Sequence, residues 1–227
     1  MSEPVLVSGG ASGLGAAVVQ ALHDAGRSAV VLDKQAPSGP ADDFRLADVT
    51  DSAQTEEAVR SLADAHGGLA AVVTAAGIDH CGPITEVSTS DWERVVRVNL
   101  LGTAAVVRAA VPYLERVHGR VVTVASTLGL RPAGDASAYC AAKFGVVGVT
   151  RALTVELAGR VGVTLLVPGG MRTPFFDDRE AKYQPPDRSK LNPPSHVAAS
   201  VLHVLNQPAG SEIRELVVCH EEEPSWP

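Results

Sequence analysis

The chain is 227 residues long and 45% of its residues are hydrophobic, which is enough to bury one substantial core within a single domain. The formal net charge is −7 and no block of lysine or arginine is present, which argues against phosphate backbones and anionic membranes as partners. No stretch approaches roughly 18 consecutive apolar residues, and the N-terminus lacks a charged leader followed by an apolar run. We therefore expect one domain over residues 1–227, located in the cytoplasm, with neither a membrane nor nucleic acid as partner.

The cysteines and histidines do not have the spacing of a metal site. Cys81, Cys140 and Cys219 are odd in number, widely separated and without a Cys-x-x-Cys pair, which also argues against a disulfide framework. The seven histidines show no His-Glu-x-x-His or similar ligand spacing. We expect no metal, and we single out only His80, which lies near the expected mouth of the pocket.

Short apolar runs alternate along the chain with segments whose apolar residues recur at helical spacing. Strands are predicted at residues 5–7, 29–33, 44–47, 69–73, 120–125, 161–167 and 213–218. Helices are predicted at residues 14–25, 51–65, 90–118, 137–158 and 195–205, with Ser90 and Glu93 as a capping box and Gly102 as a candidate break. Nearly continuous apolar strands between amphipathic helices imply a parallel sheet covered on both faces. We predict a single-domain, doubly wound α/β fold of the Rossmann type.

Two stretches fall outside this alternation and are predicted to be loops, residues 35–43 and the proline-rich residues 175–194. A connection of about twenty residues without regular structure is unusual inside a compact domain, and it is more often a lid or binding loop than a spacer. Residues 175–194 are therefore the predicted substrate loop. The acidic run at residues 221–223 is predicted to be a solvated tail.

A glycine-rich turn, Ser-Gly-Gly-Ala-Ser-Gly-Leu-Gly from Ser8 to Gly15, lies between the first strand and the first helix. Glycines there let the backbone approach a pyrophosphate, and the free N–H groups at the start of the helix supply hydrogen-bond donors. Taken alone, such a turn is as often a structural connection. The spacing differs from Gly-x-Gly-x-x-Gly, and no Gly-Lys-Ser/Thr follows to make a nucleotide-triphosphate loop.

Three polar residues form the second chemical signal. Tyr139 and Lys143 are four residues apart and share one helix face, and Ser126 comes just after the fifth strand. A nearby ammonium group favours the phenolate and should lower the pKa of the tyrosine, which would make it a usable general base. The pair alone could equally be an interfacial tyrosine beside a solvated lysine.

Together these features resemble the short-chain dehydrogenase/reductase family over about residues 4–219. The family's Thr-Gly-x-x-x-Gly-x-Gly pattern is matched with Ser8 in first place, and Ser126, Tyr139 and Lys143 match its catalytic triad. Thr-Ala-Ala-Gly at residues 74–77 stands where the family has Asn-Asn-Ala-Gly, so both asparagines are missing. Pro-Gly-Gly-Met-Arg-Thr at residues 168–173 matches Pro-Gly-x-x-x-Thr, which closes over the nicotinamide carboxamide.

The resemblance implies a bound nicotinamide dinucleotide. Its implied contacts are Ser8, Gly9, Ser12, Gly13, Leu14, Gly15, Asp33, Asp48, Val49, Ala75, Ala76, Gly77, Tyr139, Lys143, Pro168, Gly169, Met171 and Thr173. Asp33 closes the second strand, where a carboxylate would bind the adenosine ribose hydroxyls and repel a 2′-phosphate. This favours NAD over NADP, although Asp33 could be a plain strand-end residue and the neighbouring Lys34 leaves room for NADP. Asp48 could equally be only a turn former.

Asn99 falls within a predicted helix, where a short amide competes for backbone hydrogen bonds, and this suggests a helix-breaking role. In the resembled family this asparagine holds a water and the catalytic lysine in place; an exposed helical asparagine is the alternative. The resemblance also implies a homodimer or homotetramer. The chain ends soon after its last predicted strand, which puts the usual tetramer contacts and the closure of the substrate pocket in doubt.

We therefore predict an oxidoreductase that transfers a hydride between NAD(H) and a secondary alcohol or ketone. Tyr139 exchanges the hydroxyl proton, Ser126 steadies the substrate oxygen, and Lys143 and Asn99 support Tyr139. A catalytically silent, dinucleotide-sensing regulatory or scaffold protein is the alternative, because fold alone does not establish chemistry. An epimerase or dehydratase is disfavoured by the missing substrate domain and by the glycine spacing.

Overall fold

A computed structural model describes residues 3–223 and 225. Seven strands form one sheet: β1 Val5–Ser8, β2 Ala29–Asp33, β3 Asp43–Leu46, β4 Ala71–Thr74, β5 Arg120–Val124, β6 Gly162–Pro168 and β7 Glu215–Val218. Every pairing is parallel, and the order is β3-β2-β1-β4-β5-β6-β7. The predicted doubly wound α/β fold is confirmed.

The helices are α1 Gly13–Asp24, α2 Ser52–Ala65, α3 Thr89–Val96, α4 Thr103–Leu114, α5 Ser137–Glu156 and α6 Pro194–Leu205. A π-helical turn, Arg97–Gly102, joins α3 to α4. Helices α1 and α6 pack together on one face of the sheet, and α2 and α4 pack together against the other. The strands β1 to β3 extend the sheet in one direction and β4 to β7 extend it in the other, so the strand order reverses between β1 and β4; ligands of such sheets bind at this point beyond the strand ends.

The apolar strands occupy the centre of the sheet because both of their faces are covered. Val5, Leu6 and Val7 of β1 are each 0% exposed, with Val5 and Val7 in the core beneath α1 and Leu6 in the core beneath α2. Successive side chains of a strand point to opposite faces, so a continuous apolar run is what a two-sided parallel sheet needs.

Two predictions about the long central helix are wrong. Ser88, and not Ser90, caps it: the Ser88 hydroxyl accepts the Asp91 N–H at 3.1 Å, and the helix begins at Thr89. The helix also does not break at Gly102, which ends the π-helical turn and lies against Val49. A Cβ at Gly102 would come within 2.8 Å of the Val49 Cβ, so glycine is needed there for close packing.

The helical segment Thr89–Val117 is long and apolar enough to cross a membrane by length and composition. However, 56% of its most apolar window is buried inside the fold. Such burial is typical of a core helix, since the apolar side chains already contact the sheet and neighbouring helices.

Candidate active site

A cleft of about 690 Å³ opens beyond the carboxyl ends of the strands. Its lining includes Ser126, Tyr139 and Lys143 and every predicted cofactor-binding residue except Ser8 and Gly15. Ser8 is 1% exposed, and its carbonyl oxygen accepts the Ala75 N–H at 2.9 Å. Ser8 therefore does not reach the surface of the cleft; its backbone hydrogen bond fixes the end of β1 to the segment that follows β4.

The glycine turn depends on two close backbone approaches. Gly9 has a φ of 74°, and a Cβ there would lie 2.5 Å from the backbone nitrogen of Ala76. A Cβ at Gly15 would lie 2.1 Å from the carbonyl oxygen of Gly9. Neither position has space for a side chain, so Gly15 shapes the turn from within and Gly9 brings it against the segment after β4.

The first turn of α1 fits a pyrophosphate. Ser12 is the N-cap, but its side chain makes no capping hydrogen bond, which leaves the first N–H groups of the helix without a side-chain partner. Such N–H groups, together with the helix dipole, attract phosphate oxygens. Ser12, Gly13 and Leu14 all line the cleft. The residues of this turn therefore fit the dinucleotide that the resemblance implies.

The carboxylate of Asp33 faces the glycine turn from the end of β2. It accepts the Ala11 N–H at 3.0 Å and the Gln35 N–H at 3.0 Å. Lys34 and Arg94 line the same cleft, so cations as well as an anion are available at this end.

Asp48 also lines the cleft, but its carboxylate accepts the Thr50 N–H at 2.9 Å. This hydrogen bond is the main reason why the pKa of Asp48 is lowered, with smaller contributions from Lys34 and Arg94. The turn-forming role considered for Asp48 is thus present.

Asn99 lies in the π-helical turn, and its side chain faces inward. The residue is 0% exposed, and Nδ2 donates to the carbonyl oxygens of Val95 at 2.8 Å and Ile78 at 2.7 Å. Its Oδ1 is buried without a protein partner, close to Gly77. The helix does not break at Asn99, as its short amide suggested, but continues through a π-helical turn; the alternative of an exposed asparagine is wrong. Asn99 does not line the cleft; its hydrogen bond to the Ile78 carbonyl oxygen fixes the segment after β4, which does.

Ser126, Tyr139 and Lys143 come together at the ends of β5 and α5. Ser126 and Tyr139 both line the cleft, and the Ser126 hydroxyl accepts the Leu128 N–H at 3.1 Å. Lys143 Nζ lies 5.5 Å from the centre of the Tyr139 ring and donates to the Val124 carbonyl oxygen at 2.8 Å. Tyr139 is 9% and Lys143 4% exposed. A hydroxyl donor, a phenol and an ammonium group thus share one buried corner of the cleft.

The expected lowering of the Tyr139 pKa is not found. Burial raises this pKa, and the negative charge of Asp79 raises it further, whereas the neighbouring Ser126 side chain and the positive charge of Arg179 lower it. Burial also lowers the pKa of Lys143 to about 8. Desolvation disfavours both charged forms, so the closed pocket favours a neutral phenol.

Thr74 stands where the family has its first asparagine, and it does not replace the missing hydrogen bond. The residue is 2% exposed, and its hydroxyl is buried without a partner. The neighbouring Thr123 of β5, paired with Thr74 in register, does bond its hydroxyl to that of Thr150 at 2.6 Å.

The segment after β6 forms a loop that is closed at its base. Met171 and Asn192 form an isolated parallel bridge, and the Arg172 N–H donates to the Asn192 carbonyl oxygen at 2.8 Å. Between them lie three 3₁₀ turns, Pro174–Phe176, Ala181–Tyr183 and Arg188–Lys190, so the predicted loop contains short turns of regular structure. We call residues 174–191 the lid.

The lid packs directly onto the triad through aromatic rings. The Phe175 ring lies 5.7 Å from the Tyr139 ring at an interplanar angle of 57°, and it meets Phe176 edge-on at 5.4 Å. Phe175 also packs against the cluster that contains Val95 and Ala138. The apolar side of the cleft therefore begins at the acid/base candidate.

The acidic C-terminal run is not simply a solvated tail. The Glu223 carboxylate accepts the Gly170 N–H at 2.9 Å, and the Ser225 hydroxyl donates to Thr127 Oγ1 at 2.7 Å. Glu222 forms an ion pair with Lys190 of the lid. Glu222, Glu223 and Ser225 line the cleft, and no periodicity or motif indicated this.

Sequence reasoning also missed an ion pair between the lid and the segment after β4. Arg179 Nη2 lies 2.7 Å from Asp79 Oδ2, and the two side chains are 18% and 2% exposed. A smaller cavity of about 310 Å³ is lined by both members of this pair and by His80 and Cys81. The only signal was the presence of opposite charges in two segments that were expected to border the pocket.

Comparisons with known proteins agree with this geometry. Residues 3–184 match the family model described as short chain dehydrogenase. The chain is 32% identical over 224 residues to (2S)-[(R)-hydroxy(phenyl)methyl]succinyl-CoA dehydrogenase subunit BbsD of Thauera aromatica, covering 90% of each chain. It is 34% identical over 183 residues to 2,5-dichloro-2,5-cyclohexadiene-1,4-diol dehydrogenase LinX of Sphingobium indicum, covering 75% of this chain and 73% of the relative.

Solved structures support the same assignment. A variant of actinorhodin polyketide ketoreductase with NADPH superimposes with a TM-score of 0.86 at 30% identity, over 96% of both chains. The ligand-free aldohexose dehydrogenase of Thermoplasma acidophilum shares the fold, with a TM-score of 0.85 at 24% identity over 95% of this chain and 92% of that one. Fold, cleft and sequence matches together establish that this chain is an oxidoreductase of the short-chain dehydrogenase/reductase family.

Proposed function

We propose that the protein interconverts a secondary alcohol and a ketone, with Tyr139 as the general acid/base. The observation that carries this proposal is the meeting of Ser126, Tyr139 and Lys143 in one cleft, where Tyr139 and Lys143 are both buried. A regulatory protein that only binds a dinucleotide has no need for this buried arrangement.

Each member of the triad has a distinct part in the proposed mechanism. Ser126 donates a hydrogen bond to the substrate oxygen, and Tyr139 takes the hydroxyl proton in oxidation or returns it in reduction. The ammonium group of Lys143 would stabilise the phenolate and would hold the ribose of a bound nicotinamide dinucleotide. When bound, the cofactor supplies the hydride acceptor at nicotinamide C4, or the donor in the reverse direction. The neutral phenol that burial favours is the form that gives a proton to a carbonyl oxygen.

NAD is the proposed cofactor, with NADP as the weaker ligand. The Asp33 carboxylate, held beside the glycine turn by the Ala11 N–H, supports this proposal because it would repel a 2′-phosphate. The glycine turn would hold the pyrophosphate, and the segment from Pro168 to Thr173 would contact the carboxamide. Lys34 and Arg94 are the residues that would assist NADP instead.

The lid is proposed to be the substrate loop. Phe175 and Phe176 present an apolar surface beside Tyr139, and charged side chains surround them, which suits a substrate with an apolar body. Closure of such a loop would exclude water from the reacting atoms.

We also propose a cytoplasmic homo-oligomer, a dimer or a tetramer. The three cysteines are free thiols, as expected in a reducing compartment. Leu101, Phe144 and Val155 leave large apolar side chains exposed on the helical layer, 49%, 44% and 79% respectively. Light scattering of the purified protein measures the number of copies directly.

The test of the proposed function is turnover with NAD(H), followed by NADH absorbance. A panel of secondary alcohols and ketones that includes cyclohexanol, 1-phenylethanol and acetophenone should contain substrates of the wild-type protein. Binding of NADH without turnover across such a panel would favour the dinucleotide-sensing alternative.

A further inference from the structure

We propose that Asp79 and Arg179 form a clamp that holds the lid closed and positions Phe175 against the phenol ring of Tyr139. The clamp rests on the proposed function, because its chemical effect is exerted through Tyr139. Asp79 lies in the segment after β4, and Arg179 lies 100 residues later in the lid. The pair therefore joins the lid to the segment after β4, two parts of the fold that are far apart along the chain.

The burial of the pair distinguishes it from an ordinary surface contact. The Asp79 side chain is 2% exposed, and it also accepts the His80 N–H at 2.7 Å and the Cys81 thiol at 3.3 Å. By contrast, Arg188 and Asp177 form an ion pair in the same lid with side chains that are 44% and 52% exposed. Exposed ion pairs contribute little to stability. Removal of one partner of a buried pair is costly, because it leaves the other charge buried without compensation.

Arg179 transmits the clamp to the aromatic rings. Its guanidinium carbon lies 4.5 Å from the centre of the Phe176 ring and 5.1 Å from that of Phe175. The Phe175 ring in turn lies 5.7 Å from the Tyr139 ring. A planar guanidinium can hold a carboxylate and stack on aromatic faces together, which an ammonium group does less well. Arg179 is thus a positioning residue that acts through Phe175.

The two charges of the clamp act on Tyr139 in opposite directions. Asp79 raises the Tyr139 pKa and Arg179 lowers it, against a background set by burial, the Ser126 side chain and Cys140. Lys143, whose Nζ lies 5.5 Å from the ring centre, is the other cation on this side of the phenol. While both members are present their effects oppose each other, and removal of either leaves one charge unopposed.

The first experiment compares Asp79→Asn and Arg179→Met with wild type in the oxidation of 1-phenylethanol by NAD across a pH range. Each variant should lower kcat/KM by about tenfold or more, while the Kd for NADH stays within about threefold. In the pH profile of kcat/KM, the rising limb reports the pKa of Tyr139. Its midpoint should move to higher pH by about half a unit in Arg179→Met, which loses a positive charge, and to lower pH by a similar amount in Asp79→Asn, which loses a negative charge. Arg188→Met is the matched control, and its limb should not move.

The second experiment needs no substrate. Trypsin cleavage after Lys182, in the lid, should be about tenfold faster in either clamp variant than in wild type, because a lid without the ion pair opens more often. Arg188→Met, the control, should be cleaved at the wild-type rate. Cleavage rates equal to wild type, or pH limbs that both shift in one direction, would overturn the clamp. Unimpaired oxidation by Tyr139→Phe would overturn the proposed function instead, and the cleavage result would still decide the clamp.

Discussion

The two walls of the cleft are built by different means. On the wall formed by β1, β2 and the start of α1, the backbone itself makes the site: glycines let segments approach within contact distance, and the helix end supplies N–H groups. On the wall formed by the lid and the C-terminal tail, side chains make the site through ion pairs and stacked rings that join distant parts of the chain. A wall made by backbone tolerates almost no change at a few positions, whereas a wall made by side chains can be altered to suit a substrate.

The largest effect is expected when Gly9, on the wall made by backbone, is replaced by alanine. Gly9→Ala would force a residue with a φ of 74° to place its Cβ 2.5 Å from the Ala76 nitrogen. We expect a loss of about 3 kcal/mol or more of unfolding free energy and at least roughly tenfold weaker NADH binding. Urea denaturation and NADH titration measure the two effects.

Gly148→Ala on α5 is the control for that substitution. No atom lies within 4 Å of the position that a Cβ would take there, so the variant should be neutral or stabilise the helix by up to about 1 kcal/mol. If Gly9→Ala unfolded within about 0.5 kcal/mol of wild type, the tight backbone approach would not be required.

The opposite wall should lose substrate rather than cofactor. We expect the Phe175→Ala, Phe176→Ala double variant to lower kcat/KM for the alcohol by about tenfold to a hundredfold, since each ring buries apolar surface at the pocket. The Kd for NAD should stay within about threefold. Phe44→Ala, which removes an exposed ring from β3, is the control. If the double variant instead bound NAD more weakly but kept the wild-type kcat/KM for the alcohol at saturating NAD, the lid would be a structural element and not a substrate loop.

A smaller effect is expected in the choice of cofactor. If the Asp33 carboxylate repels a 2′-phosphate, NAD binds at least roughly tenfold tighter than NADP, a difference of about 1.4 kcal/mol. Asp33→Ser should remove most of this preference. Fluorescence titration of the wild-type protein with NADH and NADPH measures this preference. Equal affinities would show that Asp33 does not select against the 2′-phosphate and that Lys34 and Arg94 can accommodate it.

The smallest predicted effect concerns two buried threonines on the adjacent strands β4 and β5. Thr74→Val should stabilise the fold by about 1 kcal/mol, because it replaces a buried hydroxyl that has no partner. Its register neighbour provides the contrast: Thr123→Val should destabilise by about 1 kcal/mol, since it breaks the hydrogen bond to Thr150. Denaturation curves in which both variants shift in the same direction would show that Thr74 has a partner in solution.

Sequence reasoning succeeds where the signal is local. The strands are predicted to within about two residues because buried parallel strands are continuous apolar runs. Gly9, Ser126, Tyr139 and Lys143 are found because the fold places short segments after its strands in one cleft. The helix cap is misplaced because Ser88 and Ser90 both precede an acidic residue by three positions.

The remaining features depend on tertiary contacts. No helical or strand period reveals that Arg179 pairs with Asp79, or that the Glu223 carboxylate returns to Gly170. The lysine neighbour alone predicts a lowered pKa for Tyr139, but burial, which the sequence does not reveal, raises that pKa.

The central claim is that Tyr139 is the acid/base on a site otherwise built for a nicotinamide dinucleotide. The most direct test measures NADH affinity and turnover of 1-phenylethanol side by side in wild type and Tyr139→Phe. We predict an NADH Kd within about twofold of wild type and a rate at least roughly a hundredfold lower, because the substitution removes only the group that carries the proton. A rate above about a tenth of wild type, with NADH still bound, would contradict the account and assign proton transfer to another residue.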